Sequence, residues 1–252
     1  MDLQLTGKRV LVTGGTRGIG RAIVAAFLDE GAVVGFCARD SGEVVATNDD
    51  LRSRGDVTGS VVDVGDGDAL AAWVERSAED FGGLDVVVAN VSALAFADTE
   101  EDWQASINVD LMHTVRLIRA ALPHLERSDA ASIIAISSVS GRESDFASGP
   151  YGTAKTAIVG YIHGLAIQLA DKNIRANIVT PGNTYFEGGV WQSIETGDPA
   201  FFEIAVNLNP TGHMGTPEEV AAPVVFLASP AASRVSGTNL VVDGALTRGV
   251  QL

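Results

Sequence analysis

Tyr151 and Lys155 lie four residues apart in the stretch GPYGTAKTAIVG, directly after a Gly-Pro pair. Residues at this spacing share one face of a helix, so we expect the two side chains one turn apart. A fixed ammonium group near a phenol favours the phenolate form, and such a phenol is suited to exchange a proton with a substrate oxygen. The spacing alone also fits two ordinary residues at a helix start. Whether the pair transfers a proton therefore depends on which other residues lie near it.

A glycine-rich turn, TGGTRGIG, lies near the start of the chain between a β-branched run and an amphipathic stretch. Glycines in a strand-turn-helix unit let a pyrophosphate approach the backbone, and the free N–H groups of the helix N-terminus face the phosphates. The pattern predicts a dinucleotide site, with a purely structural turn as the alternative. The predicted contacts in this turn are Gly14, Thr16, Arg17, Gly18, Ile19 and Gly20.

The end of the second β-branched run indicates which dinucleotide is bound. A carboxylate at this place hydrogen-bonds a free ribose 2′-hydroxyl, but Ala38 occupies it and Arg39 follows. The guanidinium groups of Arg39 and Arg17 are suited to grip a 2′-phosphate with charge-assisted hydrogen bonds. We therefore expect NADP(H) rather than NAD(H). The alternative is that Arg39 and Asp40 form a solvated surface pair.

Short apolar runs alternate with longer amphipathic stretches along the chain. Apolar strands of this kind are buried on both faces, and the alternation requires crossover helices. We expect a single α/β domain over 1–252, a doubly wound parallel sheet of the Rossmann type with ligands at the carboxyl ends of its strands. Residues 182–214, rich in Gly and Pro, are predicted to form a lid. The predicted strands are 9–14, 32–38, 57–63, 84–90, 132–138, 174–181 and 238–244, and the predicted helices are 18–30, 43–54, 67–81, 99–126 and 150–171.

Composition excludes several classes of protein. The formal charge of −15 repels nucleic acid and anionic lipid, so neither is an expected partner. No apolar run is long enough to span a bilayer, and the first residues lack the layout of a signal peptide. Cys37 is the only cysteine, which excludes an internal disulfide and a Cys-rich zinc site. We expect a cytoplasmic protein without a bound metal.

Together these features resemble the short-chain dehydrogenase/reductase family over essentially the whole chain. The glycine-rich turn matches the family's TGxxxGxG motif, and Tyr151 and Lys155 match its YxxxK motif. Ser138 lies 13 residues before the tyrosine, as in the family, and Asn108 in INVDL matches the family's active-site asparagine. The resemblance implies hydride transfer between a nicotinamide cofactor and a carbonyl or secondary alcohol.

The resemblance also implies roles for these residues. Tyr151 exchanges the proton, Ser138 holds the substrate oxygen, Lys155 binds the nicotinamide ribose, and Asn108 holds a water that links Lys155 to solvent. The further cofactor contacts that it implies are Asp63, Val64, Asn90, Pro181, Gly182 and Thr184.

The chain departs from the family pattern in two places. The family's NNAG is Ala89-Asn90-Val91-Ser92 here, so only one asparagine remains. The family's threonine after the Pro-Gly pair is replaced by Phe186, and either Thr184 or the backbone is expected to provide its contact with the nicotinamide carboxamide.

The substrate pocket is expected between the lid and the residues that follow strands four and five. An apolar, aromatic wall predicts a hydrophobic small-molecule ketone, cyclic or aromatic. The predicted wall consists of Ser92, Leu94, Phe96, Ser140, Arg142, Phe146, Tyr185, Phe186, Val190 and Trp191, with Phe201 and Phe202 assigned to the wall, core or an oligomer contact.

Two other functions remain open at this point. Many relatives reduce 3-oxoacyl groups on acyl carrier protein, an acidic partner that needs clustered Lys and Arg, and here Arg127, Lys172 and Arg175 are diluted by acids. A non-catalytic NADPH-binding regulator would need only the glycine-rich turn.

Apolar residues on several faces of the two long helices predict a homo-oligomer. The resemblance implies a tetramer, with residues 242–252 at a neighbour's interface, although a dimer fits the same pattern.

Overall fold

The computed structural model describes residues 2–249, so the last three residues of the predicted interface segment lie outside the described residues. Within this range, seven strands form one parallel sheet in the order β3-β2-β1-β4-β5-β6-β7. This confirms the predicted doubly wound sheet. The strands are β1 Arg9–Thr13, β2 Val33–Ala38, β3 Val57–Val61, β4 Val86–Ala89, β5 Ser132–Ile136, β6 Arg175–Pro181 and β7 Asn239–Val242.

Helices cover both faces of the sheet. The helices are α1 Gly18–Asp29, α2 Ser41–Leu51, α3 Gly67–Phe81, α4 Glu100–Ala105, α5 His113–Leu125, α6 Pro150–Gln168, α7 Val190–Gly197, α8 Pro199–Leu208 and α9 Pro217–Ala228. Successive residues of a strand point to opposite faces. Leu11 of β1 accordingly packs with α3, α5 and α6, whereas Val10 and Val12 pack with α1, α2 and α9. Burial on both faces explains why the strand sequences are continuously apolar.

The helix predicted at 99–126 contains a segment of wider turn. Between α4 and α5, residues Ser106–Met112 form a π-helix, in which the N–H of His113 donates to the carbonyl oxygen of Asn108. A π-helical turn inside an α-helix is uncommon and is often found at functional sites. The segment carries Asn108 towards the carboxyl edge of the sheet.

The segment predicted to form a lid contains α7 and α8, and it leads into a helix that sequence reasoning missed. Helix α9 begins with a capping box, in which Thr216 and Glu219 exchange side-chain to backbone hydrogen bonds, and Pro217 is its first residue. This T-P-E-E start is a helix signal that the sequence contains. Because α9 packs against α1 in the second core, it supports the helix that carries the phosphate loop.

A buried ion pair fixes the amino edge of the sheet. Asp85 is 2% exposed and accepts hydrogen bonds from the backbone N–H, Nε and Nη2 of Arg9 and from Oγ of Ser128, at 2.6–2.9 Å. Burial raises the pKa of Asp85, but the hydrogen bonds from Arg9 and Ser128 outweigh burial and hold that pKa at about 2 instead of 3.8. The pair joins β1, β4 and the turn before β5.

Replacing this carboxylate is expected to make folding less stable in a pH-dependent way. A carboxyl group with a lowered pKa in the folded state stabilises the fold above its unfolded pKa, and this stabilisation disappears as the pH falls from about 4 to about 2. Asp85→Asn should therefore lower the free energy of unfolding by about 2 kcal/mol at pH 7, and by little at pH 2. Urea unfolding across this pH range measures the difference. Asp129→Asn, which removes an exposed acid paired with Lys8, is the matched control and should change nothing measurable. If the free energy of unfolding depended on pH in the same way in Asp85→Asn and in the control, the stabilising role of the Asp85–Arg9 pair would be contradicted.

Candidate active site

The phosphate loop joins β1 to α1 and has the shape that a dinucleotide requires. Gly14 and Gly18 have φ values of +71° and +51°, which favour glycine. A Cβ on Gly20 would lie 1.9 Å from the carbonyl oxygen of Gly14, so only glycine fits there. Arg17 precedes α1, and no side chain from residues 2–249 caps that helix end. The first N–H groups of α1 therefore have no side-chain acceptor in this range, which is what a diphosphate site requires.

Asn90 fixes this loop from the neighbouring strand. Its Nδ2 donates to the carbonyl oxygens of Thr13 and Gly14 at 3.0 and 3.3 Å, and its backbone N–H donates to Oγ1 of Thr13 at 3.0 Å. The same Oγ1 lies 2.9 Å from Nε2 of the buried His113, whose pKa burial lowers to about 3. The one asparagine that remains of the family's pair thus anchors the loop, even though Ala89 replaces the other.

The adenosine end of the predicted site is exposed and carries free cations. The side chains of Arg17 and Arg39 make no hydrogen bond or ion pair with another residue of the described part of the chain. Asp40 is occupied as the N-cap of α2, where its Oδ1 accepts the N–H of Glu43 at 2.8 Å. The Glu43 carboxylate in turn accepts a hydrogen bond from Oγ1 of Thr16 at 2.8 Å.

The other predicted cofactor residues also follow strand ends. Asp63 is exposed after β3, and its Oδ1 accepts a backbone N–H two residues further on, while Val64 is buried. At the end of β6, Pro181 is buried and a Cβ on Gly182 would lie 2.8 Å from the Cβ of Asp243. Thr184 is buried, and its Oγ1 donates to the carbonyl oxygen of Gly182 at 3.1 Å. These side chains line the carboxyl edge, where the prediction placed the cofactor.

Helix α6 packs directly on the turn that follows β5. A Cβ on Gly152 would lie 2.6 Å from the carbonyl oxygen of Ser140, and one on Gly141 would lie 2.8 Å from the carbonyl carbon of Lys155. Hydrogen bonds hold this contact, because Oγ of Ser137 donates to the carbonyl oxygen of Lys155 at 3.0 Å and Oγ1 of Thr156 donates to that of Gly141 at 2.8 Å. The contact brings the predicted serine and the Tyr-Lys pair to the same place.

The predicted proton-transfer residues meet at this contact. Nζ of Lys155 lies 5.6 Å from the centroid of the Tyr151 ring, and Lys155 is 2% exposed. The same Nζ donates to the carbonyl oxygen of Ile136 at 3.2 Å. Ser138 is 9% exposed, and its Oγ accepts the N–H of Ser140 at 3.2 Å, so its hydroxyl proton points elsewhere. A phenol, an ammonium group and a hydroxyl group therefore share one end of the sheet.

The π-helical segment contributes one residue that was predicted and one that was missed. Nδ2 of Asn108 donates to the carbonyl oxygen of Gly65 at 3.2 Å, and its Oδ1 accepts from Nη1 of Arg116 at 2.7 Å, so its side chain ties the segment to the loop after β3. Two residues further on, the fully buried Asp110 places its Oδ1 3.3 Å from Nζ of Lys155. The available signal was an acid within the otherwise largely apolar run INVDLM.

An aromatic cluster covers Tyr151. The ring of Phe96 is 5.2 Å from that of Tyr151 and 6.1 Å from that of Phe146. Phe146 in turn contacts Trp191 at 5.8 Å and Phe201 at 5.4 Å. The structure therefore brings three predicted wall residues together with Tyr151, and it adds Phe201 from α8.

Other predicted wall residues lie elsewhere. The ring of Tyr185 packs on Phe202 at 5.9 Å, and its hydroxyl donates to Glu195 at 2.5 Å, a bond that raises the pKa of Tyr185. Phe186 lies over the phosphate loop, because a Cβ on Gly18 would be 2.5 Å from its ring. Tyr185 is thus packed against α8 and Phe186 against the phosphate loop, rather than in the aromatic cluster.

The polar wall residues form turns near the cluster. Oγ of Ser92 accepts the N–H of Leu94 at 3.1 Å, and Leu94 is 43% exposed with φ of +52°. Oγ of Ser140 donates to Asp145 at 2.6 Å, and Arg142 is exposed. These contacts shape the loops after β4 and β5.

Two further findings concern metals and membranes. Among residues 2–249, no three His, Cys, Asp or Glu side chains are placed to hold a metal ion. Within the same range, no helix combines the length and apolar character needed to cross a membrane.

The single cysteine, Cys37, is buried in β2. Burial raises the pKa of the Cys37 thiol to about 12.

Comparison with known proteins places the chain in a family. Residues 14–247 match the family model described as enoyl-(acyl carrier protein) reductase. Isoepoxydon dehydrogenase of Penicillium expansum is 41% identical over 98% of this chain and 97% of its own. A putative short-chain dehydrogenase/reductase from Burkholderia xenovorans has a TM-score of 0.90 at 31% identity, covering 96% of this chain and 97% of its own.

An NADPH-bound short chain oxidoreductase from Pseudomonas aeruginosa, described as containing an atypical catalytic center, has a TM-score of 0.88 at 29% identity over 96% of this chain and 98% of its own. The fold, the matched family model and relatives of nearly equal length agree. The chain belongs to the short-chain dehydrogenase/reductase family and is an oxidoreductase.

Proposed function

We propose that this protein is an NADP(H)-dependent carbonyl reductase or secondary-alcohol dehydrogenase with Tyr151 as its acid and base. The observation that carries the proposal is the packing of α6 on the end of β5, which holds Ser138, Tyr151 and Lys155 together. A protein that only sensed a dinucleotide would need the phosphate loop but not this second arrangement. For that reason we favour an enzyme over a non-catalytic NADPH-binding regulator.

NADP(H) is the cofactor that the residues fit. The loop at Gly14, Gly18 and Gly20 accommodates the diphosphate, and Arg17 and Arg39 offer two guanidinium groups to a 2′-phosphate. The carboxylate of Asp40 caps α2. It therefore does not serve as the ribose-binding acid, whose usual position is occupied here by Ala38. The NADPH bound to the Pseudomonas aeruginosa relative supports the same choice.

The chemistry divides between the cofactor and the chain. When bound, the nicotinamide supplies or accepts the hydride at the carbonyl carbon. Ser138 holds the carbonyl oxygen, and Tyr151 gives its phenolic proton to that oxygen as negative charge develops. Lys155 favours the resulting phenolate through its positive charge. Asn108 holds the π-helical segment in place through Gly65 and Arg116, and this segment packs against α6.

The aromatic cluster favours a hydrophobic substrate. Phe96 contacts the Tyr151 ring and Phe146 contacts both Phe96 and Trp191. Phe146 is 51% exposed, so it presents apolar surface to an incoming molecule. Rings contact such a surface favourably in edge-to-face or offset geometry. A ketone that is cyclic or aromatic suits this wall best.

The second candidate is a 3-oxoacyl-[acyl-carrier-protein] reductase, because one such reductase, FabG of Chlamydia pneumoniae, is 31% identical over 98% of this chain and the matched family model is named for another carrier-linked reductase. An acidic carrier needs free cations to dock on. Here Lys172 pairs with Glu126, Arg127 donates to His124, and Arg175 donates to the carbonyl oxygens of Leu227, Ala228 and Ser229 at the end of α9. Because these cations are engaged within the chain, we favour a free ketone. Turnover of an acetoacetyl carrier protein without turnover of any free ketone would reverse this preference.

Removal of the phenolic hydroxyl should abolish turnover. Tyr151→Phe is expected to lower kcat by about 10²- to 10⁴-fold, the usual contribution of a positioned acid, while NADPH still binds. NADPH consumption against a panel of ketones and fluorescence titration with NADPH measure the two quantities. Tyr161→Phe, on the same helix, is the matched control and should retain activity. Full activity of Tyr151→Phe would refute the proposed mechanism.

Reversal of the charge at Arg39 should change cofactor preference. Loss of a charge-assisted hydrogen bond to the 2′-phosphate is expected to raise KM for NADPH by about 10- to 100-fold in Arg39→Asp, with little change for NADH. Arg52→Asp makes the same charge change at the far end of α2. It should leave the ratio of KM for NADPH to KM for NADH unchanged. If this ratio were also unchanged in Arg39→Asp, the proposal that Arg39 binds the 2′-phosphate would be refuted.

A methyl group in the phosphate loop should weaken dinucleotide binding. In Gly20→Ala, the new Cβ meets the carbonyl oxygen of Gly14, and the loop has to shift. We expect NADPH affinity to fall by about 10- to 100-fold, measured by calorimetry. Gly160→Ala in α6 meets no atom within 4 Å and should leave affinity unchanged while raising the stability of the helix. Equal affinity in both variants would contradict the proposed cradle.

A further inference from the structure

We propose that Asp110 is a positioning residue that keeps Lys155 in its ammonium form at the active site. The carboxylate belongs to the π-helical segment and meets the lysine across the contact with α6. Its catalytic consequence rests on the proposed function, but the pairing itself does not.

The burial of both partners is the first argument. Asp110 is 0% exposed and Lys155 is 2% exposed, and their Oδ1 and Nζ atoms are 3.3 Å apart. A buried ammonium group without a counter-ion tends to lose its proton, and a buried carboxylate alone tends to gain one. Each partner therefore stabilises the charge of the other.

The hydrogen bonds around the carboxylate aim it at the lysine. Oδ2 of Asp110 accepts the N–H of Ala93 at 3.1 Å, in the loop after β4. Its own carbonyl oxygen accepts Oγ1 of Thr114 at 2.8 Å. Oδ1 has no hydrogen-bond partner among residues 2–249, so its contact with Nζ is one of charge. An ammonium group held in this way keeps its N–H groups free to turn towards other acceptors, such as Ile136.

The surrounding groups leave Asp110 as the counter-ion. His113 packs one turn further along with a pKa lowered by burial to about 3, so it is neutral. Arg116 adds a second positive charge, bound to Asn108. Tyr151 faces Lys155 from the same helix. Among residues 2–249, Asp110 supplies the one carboxylate that pairs with Lys155.

The chain is suited to a direct test because it has three lysines, Lys8, Lys155 and Lys172. Labelling with ¹³Cε-lysine gives three signals in the cofactor-free protein, and Lys8→Arg and Lys172→Arg assign them. In Asp110→Asn, the titration midpoint of the Lys155 signal should fall by at least about one pH unit, while the other two signals titrate as in the unaltered protein. Coincident Lys155 curves in the two proteins would overturn the proposal.

A second readout covers activity. In Asp110→Asn, the alkaline limb of the pH profile for ketone reduction should move to lower pH. Ser106→Ala is the matched control, because it removes another fully buried polar group of the same π-helical segment. The Ser106 hydroxyl has no hydrogen-bond partner in the described range, so the alkaline limb should stay in place in this variant. A shifted lysine titration in a protein that reduces no ketone would support the pairing and refute the proposed function instead.

A stability cycle keeps the test decisive if Asp110→Asn folds poorly. Removal of one member of a buried ion pair is far more costly than removal of both. Asp110→Asn combined with Lys155→Met should therefore be more stable, by melting temperature, than Asp110→Asn alone. A double variant that is as unstable as the sum of the two single changes would overturn the proposal.

Discussion

The contact between α6 and the end of β5 is the constraint on which the site depends. Gly141 and Gly152 let the two backbones approach within distances that any side chain would prevent. The helix carries a phenol and an ammonium group, and the strand end carries the hydroxyl of Ser138. Catalytic groups must keep their relative positions to within a fraction of an ångström, and a displacement of about 1 Å can cost a hundredfold in rate. Two glycines and two hydrogen bonds from neighbouring hydroxyl groups fix this contact.

A neutral network of hydrogen bonds ties the phosphate loop to α5. Thr13, Asn90 and His113 form a chain of hydrogen bonds from β1 through the end of β4 to α5. Because burial holds the pKa of His113 at about 3, this network does not change its charge over the ordinary pH range. Close to this network, three residues before His113 in the chain, Asp110 forms a buried ion pair with Lys155. The hydrogen bonds that hold the phosphate loop are therefore neutral, whereas the contact between the π-helical segment and α6 contains a charged pair.

The sequence predicted the parallel sheet, the phosphate loop and the spacing of Tyr151 and Lys155, because each of these depends on local periodicity or on glycine at a turn. It did not predict the π-helical segment, since one wider turn leaves the apolar pattern almost unchanged. Helix α9 was missed although its capping box was present. Asp110 was missed because the burial of an acid is decided by packing against α6, which is distant in sequence. The separation of Tyr185 and Phe186 from the aromatic cluster likewise depends on how α7 and α8 fold back on the chain.

Cys37 lies fully buried in β2, next to the phosphate loop, and its thiol stays protonated at ordinary pH. It is the only thiol in the chain. Thiol-directed dyes react with exposed thiolates, so the native protein should remain unlabelled by them. A cysteine placed on an exposed position of α7 or α8 would then carry a single fluorophore without any background substitution. Its emission would report whether α7 and α8 change position when a dinucleotide is added to an otherwise unmodified molecule.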